Sequence, residues 1–165
     1  MGNIGVGKTT YINQLRKKKK YKNFKYIALD EYRFKYNKKN TIEGEEKAQL
    51  KLIEDIQKYK DIILESSGTG KWYESYLKSY ESVFDDKIIE IILEDTIENC
   101  LLKNKTREKV GYQLPPFPYD IPLTNGLSWI HNKLLGKYAD ENIIVKNKKE
   151  TFKNIYDTLE LLTKD

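Results

Sequence analysis

The sequence predicts an α/β fold in a single domain over residues 1–165: a doubly wound, mostly parallel sheet with helices on both faces. Three observations lead there. Short runs rich in β-branched and aromatic residues alternate along the chain with segments of helical period. One of those runs, Ile62-Ile63-Leu64, is apolar at every position, as suits a parallel strand covered on both faces. The chain also opens on a glycine-rich stretch that leads directly into a helical pattern, an arrangement typical of α/β units.

Taken in order, Thr9 to about Lys18 carries Tyr11, Ile12 and Leu15 at helical spacing and predicts the first helix. Phe24 to Leu29 reads as a short strand that ends at Asp30-Glu31-Tyr32-Arg33. A helix follows from Thr41 to about Lys58, with Ala48, Leu52, Ile53 and Ile56 on one face. Asp61 to Leu64 is the next strand and ends in the polar turn Glu65-Ser66-Ser67-Gly68-Thr69-Gly70. Tyr73, Tyr76, Leu77 and Tyr80 mark a third helix, and Lys87 to Leu93 is the strongest strand signal. Asp95 or Thr96 caps the next helix, which turns Ile97, Cys100 and Leu101 inward and carries Lys103, Lys105 and Arg107 at its far end. Gly111 to Pro122 contains Pro115-Pro116-Phe117-Pro118, which neither a regular helix nor a central strand accommodates, so an extended loop is expected. Leu127, Ile130, Leu134 and Leu135 restore the helical period, capped by Thr124 or Asn125. Asn142 to Val145 is a last strand, and Phe152, Ile155, Tyr156, Leu159 and Leu162 predict a closing amphipathic helix.

The chemistry concentrates at the start. Gly2-Asn3-Ile4-Gly5-Val6-Gly7-Lys8-Thr9-Thr10 satisfies the phosphate-binding pattern G-x-x-x-x-G-K-[ST] at every fixed position. Glycines allow the backbone to curl with its N–H groups inward, and the helix dipole adds positive potential, so a di- or triphosphate finds an anion site. The nucleotide-binding set is therefore Gly2, Asn3, Gly5, Gly7, Lys8, Thr9 and Thr10. Lys8 is expected on the β- and γ-phosphates, the Thr9 hydroxyl on a Mg²⁺ bridging them, and Thr10 on the α-phosphate. Ligands of open α/β sheets bind beyond the carboxyl ends of the strands, which directs Asp30 and Arg33 toward the same crevice. Asp30 is the candidate to accept the proton of an attacking hydroxyl, and Glu65 the candidate acidic partner of Mg²⁺. Lys103, Lys105 and Arg107, with the proline-bearing loop, form a candidate lid over about residues 103–122, whose closure would exclude water.

Composition narrows the setting. The net charge is +5 and the pI near 9.0, but the basic residues are 27 lysines against 3 arginines, and the lysines are spread along the whole chain. Most of that charge reads as a solvated surface, so a nucleic-acid partner is possible but not favoured. With arginine scarce, Arg33 and Arg107 mark the places where a planar, bidentate grip on phosphate is available. The one cysteine, Cys100, excludes an internal disulfide. No apolar run is long enough to span a membrane, and together these predict a cytoplasmic setting; a monomer or dimer is expected. His131 stands alone and has no metal-ligand companions in sequence.

The order of phosphate loop, Asp30-Glu31-Tyr32-Arg33, Leu64-Glu65-Ser66-Ser67-Gly68 and the basic Lys103-to-Arg107 segment resembles the P-loop small-molecule kinases. That group includes nucleoside monophosphate, shikimate and gluconate kinases, 5′-hydroxyl polynucleotide kinases and zeta-toxin-like kinases. The resemblance implies that Lys8 and Thr9 hold ATP·Mg²⁺, that Asp30 and Arg33 handle a small-molecule or nucleotide acceptor, and that Arg107 is a lid arginine. The Gly68-Thr69-Gly70 turn is similar to the acceptor turn of shikimate kinases, which adds Gly68 to the acceptor side. The resulting expectation is an ATP- and Mg²⁺-dependent kinase, with a polynucleotide 5′-hydroxyl kinase as an alternative within it. An ATPase without acceptor is a further alternative. So is a GTP-binding switch, for which Glu65-Ser66-Ser67-Gly68 and Asn147-Lys148-Lys149-Glu150 approximate D-x-x-G and N-K-x-D. The resemblance also implies a strand before Gly2, lying between Ile62–Leu64 and Ile88–Leu93, where this sequence has only Met1. Either those two strands close up and pair, or about five to eight apolar residues are encoded upstream in frame; the second is the expectation.

Overall fold

Gly7, at φ 105° in the left-handed region that glycine enters without steric cost, turns the opening loop into the first helix, α1 (Lys8–Arg16). The computed structural model describes residues 1–109 and 122–147. After α1 come β1 (Lys25–Ala28), α2 (Leu29–Tyr36), α3 (Ile42–Ile56), β2 (Ile62–Glu65), α4 (Lys71–Glu81), β3 (Glu90–Glu94), α5 (Ile97–Lys109), α6 (Leu123–Leu135) and β4 (Ile143–Asn147). The described residues are thus mixed helix and strand, with short parallel strand pairs. β1 pairs β2 from Lys25–Ile62 to Ala28–Glu65, and β3 pairs β4 from Glu90–Ile143 to Glu94–Asn147. The single sheet expected from the sequence is seen here as two separate parallel pairs.

Alternation along the strands explains why helices lie on both sides. Ile63, Ile89 and Ile91 pack with Tyr11 and Leu15 of α1 and Cys100 of α5. Ile62, Leu64 and Ile88 pack the other way, with Leu52 and Ile56 of α3 and Tyr73, Tyr76 and Tyr80 of α4. A third cluster joins Ile92 and Ile143 to Ile130 and Leu134 of α6. Among the described residues, no helix is long and apolar enough to cross a membrane.

The edge of β3 facing β2 is occupied only at its end. The Met1 nitrogen donates to the Ile91 carbonyl at 2.5 Å, the Leu93 N–H donates to the Met1 carbonyl at 2.9 Å, and Gly2 forms a parallel bridge with Leu93. Met1 and Gly2 are therefore two residues' worth of parallel strand. β2 and β3 do not pair, so the alternative in which they close up is not seen among the described residues; residues of both, with side chains of α1 and α4, line a cavity of about 250 Å³.

Several boundaries differ from the sequence reading. Leu29–Tyr36 is a helix, so Asp30 and Arg33 lie in α2 and not in a loop after β1. None of its residues is buried, which removed the apolar period that would have announced it. The strand predicted from Lys87 begins only at Glu90, where pairing with β4 starts at Ile143; Lys87–Ile89 border the cavity. Thr96 caps α5, its hydroxyl accepting from the Asn99 N–H at 3.1 Å, while α6 starts at Leu123 behind Pro122 and not at Thr124 or Asn125. The closing helix at 152–162, the middle of the proposed lid at 110–121 and residues 148–150 lie outside the described residues.

Candidate functional site

The loop from Gly2 to Gly7 is held from three sides. A Cβ on Gly2 would come within 2.7 Å of the Leu93 carbonyl oxygen, so only glycine permits this approach to β3. The Asn3 side chain is buried; its Nδ2 donates to the Leu127 carbonyl of α6 at 2.8 Å, and its Oδ1 accepts from the Ile4 N–H at 2.9 Å. Asn3 therefore contributes backbone to the mouth of the loop, with its side chain serving as an anchor. From behind, the Asn104 Nδ2 of α5 donates to the carbonyls of Ile4, at 3.2 Å, and Cys100, at 2.9 Å.

The mouth itself is open. α1 begins with no side-chain cap and no acidic residue in its first turn, and nothing lies within 4 Å of where a Cβ on Gly7 would stand. Thr9 and Thr10 are exposed there. Uncapped first-turn N–H groups beside a left-handed glycine suit an anion. Lys8 curls back over the loop, its Nζ donating to the carbonyls of Gly2 at 2.9 Å and Asn3 at 2.8 Å. Burial pushes its ammonium below the usual lysine range, Glu65 and Asp30 pull it up, and Arg107 pushes it further down. Those same interactions place Asp30, Glu65 and Arg107 within electrostatic reach of Lys8.

Thr9 and Glu65, distant in sequence, meet: the Thr9 hydroxyl donates to Glu65 Oε1 at 2.8 Å. The other carboxylate oxygen accepts from the Tyr26 hydroxyl on the neighbouring strand. Burial first, and then that hydrogen bond to Glu65, raise the Tyr26 phenol, so it stays protonated and can donate. A hydroxyl and a carboxylate are hard oxygen donors suited to Mg²⁺, which takes one or two protein ligands and completes its shell with phosphates and water. Among the described residues, no group of three or more His, Cys, Asp or Glu side chains is placed to hold a metal by itself. Nothing in the sequence reading picked out Tyr26. Its only signal is the register, which sets Tyr26 beside Ile63, two residues short of Glu65.

On the other side of the crevice stands Asp30, in the first turn of α2. Crowding by the crevice walls raises its carboxyl above the usual range, against the pull of Arg33 and Lys8. With 57% of the side chain still open to solvent, that rise is limited and a hydroxyl can approach. Arg33 is otherwise engaged. Its Nε and Nη2 hold Glu45 of α3 at 3.0 and 2.8 Å, leaving Nη1 toward Asp30 at 3.6 Å. Glu45 also accepts from Gln49 at 2.7 Å and Asn37 at 3.3 Å, and the Tyr76 hydroxyl closes the group by donating to the Gln49 amide oxygen. Arg33 is thus set by a buried network and acts on Asp30. A polar pair on the same stripe as Ala48, Leu52 and Ile56 was the available signal for Glu45 and Gln49.

The remaining candidates divide. The Gly68 N–H is committed to the Ser66 hydroxyl at 2.8 Å, and the space a Cβ would take is filled by the Met1 side chain, so Gly68 packs the start of the chain and does not face the crevice alone. Lys103 pairs with the buried Asp95 at 3.0 Å and so serves α5 itself, whereas Lys105 is exposed. Cys100 is wholly buried in the core, as its surroundings in sequence imply. In comparisons with protein-family models, curated proteins and solved structures, the chain finds no match.

Proposed function

We propose that this protein is an ATP- and Mg²⁺-dependent phosphotransferase that moves the γ-phosphoryl group of ATP to a hydroxyl or phosphate of a small acceptor, working as a cytoplasmic enzyme on one doubly wound sheet. The observation that carries the reading is the convergence of Lys8, the Thr9–Glu65 pair and Asp30 on one crevice at the uncapped start of α1. The loop N–H groups and Lys8 bind and orient the phosphates. Thr9 and Glu65, the latter steadied by Tyr26, would hold Mg²⁺, which would neutralise phosphate charge. Asp30 accepts the acceptor's proton, Arg33 fixes Asp30 through its grip on Glu45, and Arg107 brings a third cation toward the phosphates.

Asp30→Asn tests the acceptor side. Turnover is expected to fall at least about a hundredfold while ATP affinity changes less than about threefold, because the carboxylate serves the incoming hydroxyl. The raised carboxyl adds a pH signature: wild-type turnover falls as the pH drops through a value above the ordinary aspartate range, about 3.9, and the variant lacks that limb. ATP binding that weakens in step with turnover would make Asp30 a nucleotide or metal residue. Tyr26→Phe tests the metal side. A fluorescent ATP analogue should require about tenfold more Mg²⁺ for half-maximal binding, since Glu65 loses the donor that orients it. An unchanged Mg²⁺ titration would remove Glu65 from the metal site.

The engagement of Arg33 with Glu45 favours one second reading, an ATPase with no acceptor. In that case phosphate is released to water at the same rate with and without candidate acceptors, and Asp30→Asn leaves the rate unaltered. A screen of labelled ATP against nucleosides, nucleotides, sugars and 5′-hydroxyl oligonucleotides separates the two.

A further inference from the structure

Lysines that are scattered in sequence gather at one pole of the fold. Seven of the ten residues from Arg16 to Lys25 are basic and none is acidic. The stretch links the end of α1 to the start of β1 through a short 3₁₀ turn over Lys19–Tyr21. It is pinned from beneath. Tyr21 is buried, its ring meets Phe24 edge-on at 5.3 Å, and the N–H groups of Tyr21 and Phe24 donate to the carbonyls of Lys18 and Tyr21 at 3.1 and 3.2 Å. Lys17, Lys19, Lys22 and Lys25 are exposed around this anchor, and among the described residues none of the four is in an ion pair. The segment before β2 joins them. The Lys25 N–H donates to the Asp61 carbonyl at 2.8 Å, and Lys25 Nζ stands over the Tyr59 ring, 5.2 Å from its centroid, with Tyr59 itself 41% exposed.

A helix carboxyl end favours a cation or two, which accounts for Arg16 and Lys17 but not for the charges that follow. Like charges held this close repel, and that cost persists until counter-charge arrives from outside. A polyanion supplies it. Lysine offers a point charge without the planar fork that reads a guanine edge, and the one arginine of the stretch lies over the Tyr26 ring at 5.6 Å. The surface therefore suits a phosphate backbone and not a base sequence. Tyr59, an exposed ring beside the cations, adds a face on which a base can stack. A bilayer fits less well, because Tyr21 and Phe24 pack into the core where a membrane anchor would turn them outward.

We propose that the surface formed by Arg16, Lys17, Lys19, Lys22, Lys25 and Tyr59 binds single-stranded nucleic acid without regard to sequence. It lies at the amino ends of β1 and β2, whereas Asp30 and Glu65 follow their carboxyl ends, and the length of α1, about 14 Å, separates it from the phosphate loop. The inference rests on charge and geometry at that pole and not on the phosphotransferase reading, so either can fail alone.

The test titrates the protein against a fluorescent single strand of mixed sequence, about 15 nucleotides long, whose 5′-phosphate leaves no 5′-hydroxyl for the crevice. Five cations predict a slope of about −3 to −4 for log affinity against log salt. Replacing Lys17, Lys19 and Lys22 together by Glu should lower affinity at about 50 mM salt at least about thirtyfold, with no fall in Tm because the three side chains are exposed and repel one another. The same three replaced by Gln should lose about tenfold, which keeps the test intact if charge reversal disturbs folding. Tyr59→Ala should cost the single strand about tenfold and a duplex of the same sequence nothing, and Lys8→Ala should bind as wild type does. No binding at about 50 mM salt, or affinity unmoved by the lysine replacements, would overturn the proposal. Binding lost in Lys8→Ala would overturn it by placing the strand in the crevice. A duplex bound as tightly as the single strand, with Tyr59→Ala altering neither, would also overturn it. So would displacement of the strand by vesicles of phosphatidylcholine and phosphatidylserine at matched charge, which would give the surface to a membrane.

Discussion

Lys8→Ala is expected to abolish phosphoryl transfer, lowering the rate at least about a hundredfold, while the protein still melts within a few degrees of wild type. On the proposed function, Lys8 is a cation aimed at charge that develops during transfer, where one donor in a dry site is worth about two orders of magnitude or more. The small thermal effect follows from how Lys8 sits. Its ammonium is desolvated, which costs stability, and it donates to two loop carbonyls, Gly2 and Asn3, which contributes stability, so removal trades one against the other. The loop's other anchors, Asn3 to Leu127 and Asn104 to Ile4, are untouched. Labelled-ATP transfer and a thermal melt on the same preparation check both halves. Transfer within tenfold of wild type would end the phosphate-loop assignment.

Glu45→Ala should give the largest loss of stability, about 3–5 kcal/mol, the range for breaking a buried ion pair by removing one partner. Arg33, whose side chain is only 20% exposed, would be left among the described residues with Asp30 at 3.6 Å as its remaining carboxylate partner, and the amides of Gln49 and Asn37 would lose their shared acceptor. For a domain of this size that corresponds to a fall in Tm of about 10 °C. The pH dependence carries the same signature. Burial pushes the Glu45 carboxyl up, but the hydrogen bonds and charge of Arg33, with Gln49 and Asn37, outweigh it and hold the group below 4.5. A depressed folded-state value means that the stabilisation is complete above the unfolded value and is lost as the pH falls through the folded one. Wild type should therefore lose stability below about pH 4.5, and the variant should lose less over that window. A denaturant series at pH 7 and pH 4 measures both, and a loss under about 1 kcal/mol at pH 7 would mean that the network relaxes around the gap.

The loop was legible because its spacing is chemical: a glycine, lysine and hydroxyl in fixed order have few structural alternatives. β2 was legible because a strand buried on both faces leaves an uninterrupted apolar run. α2 was not, since it rides on α3 without burying a residue and its sequence shows no period. Lys87–Ile89 shows the opposite case, in which strand-forming residues are present but pairing with β4 starts only at Glu90, so propensity alone set the wrong boundary. Arg33 was singled out by the scarcity of arginine as a grip on phosphate, whereas its Nε and Nη2 hold Glu45, a partner hidden by reading α3 only for its apolar positions. An acid between Ile42 and Ala48 on the core stripe is costly unless something pairs with it, and that cost is itself readable.

The contact of α5 with the back of the loop has a mechanical side. Asn104 grips the loop, and Arg107 follows three positions later on the same helix, so the two lie on one face. Rotating or lifting α5 to displace Arg107 would therefore strain the bond to Ile4, so α5 and the loop from Gly2 to Gly7 are mechanically coupled through Asn104. The chain's one cysteine, Cys100, lies a turn earlier at the same joint, its carbonyl bonded to Asn104 and its side chain shut in the core. A thiol reagent reaches it only when the packing around it opens, so its labelling rate reports how often α5 parts from the core, with no label to add.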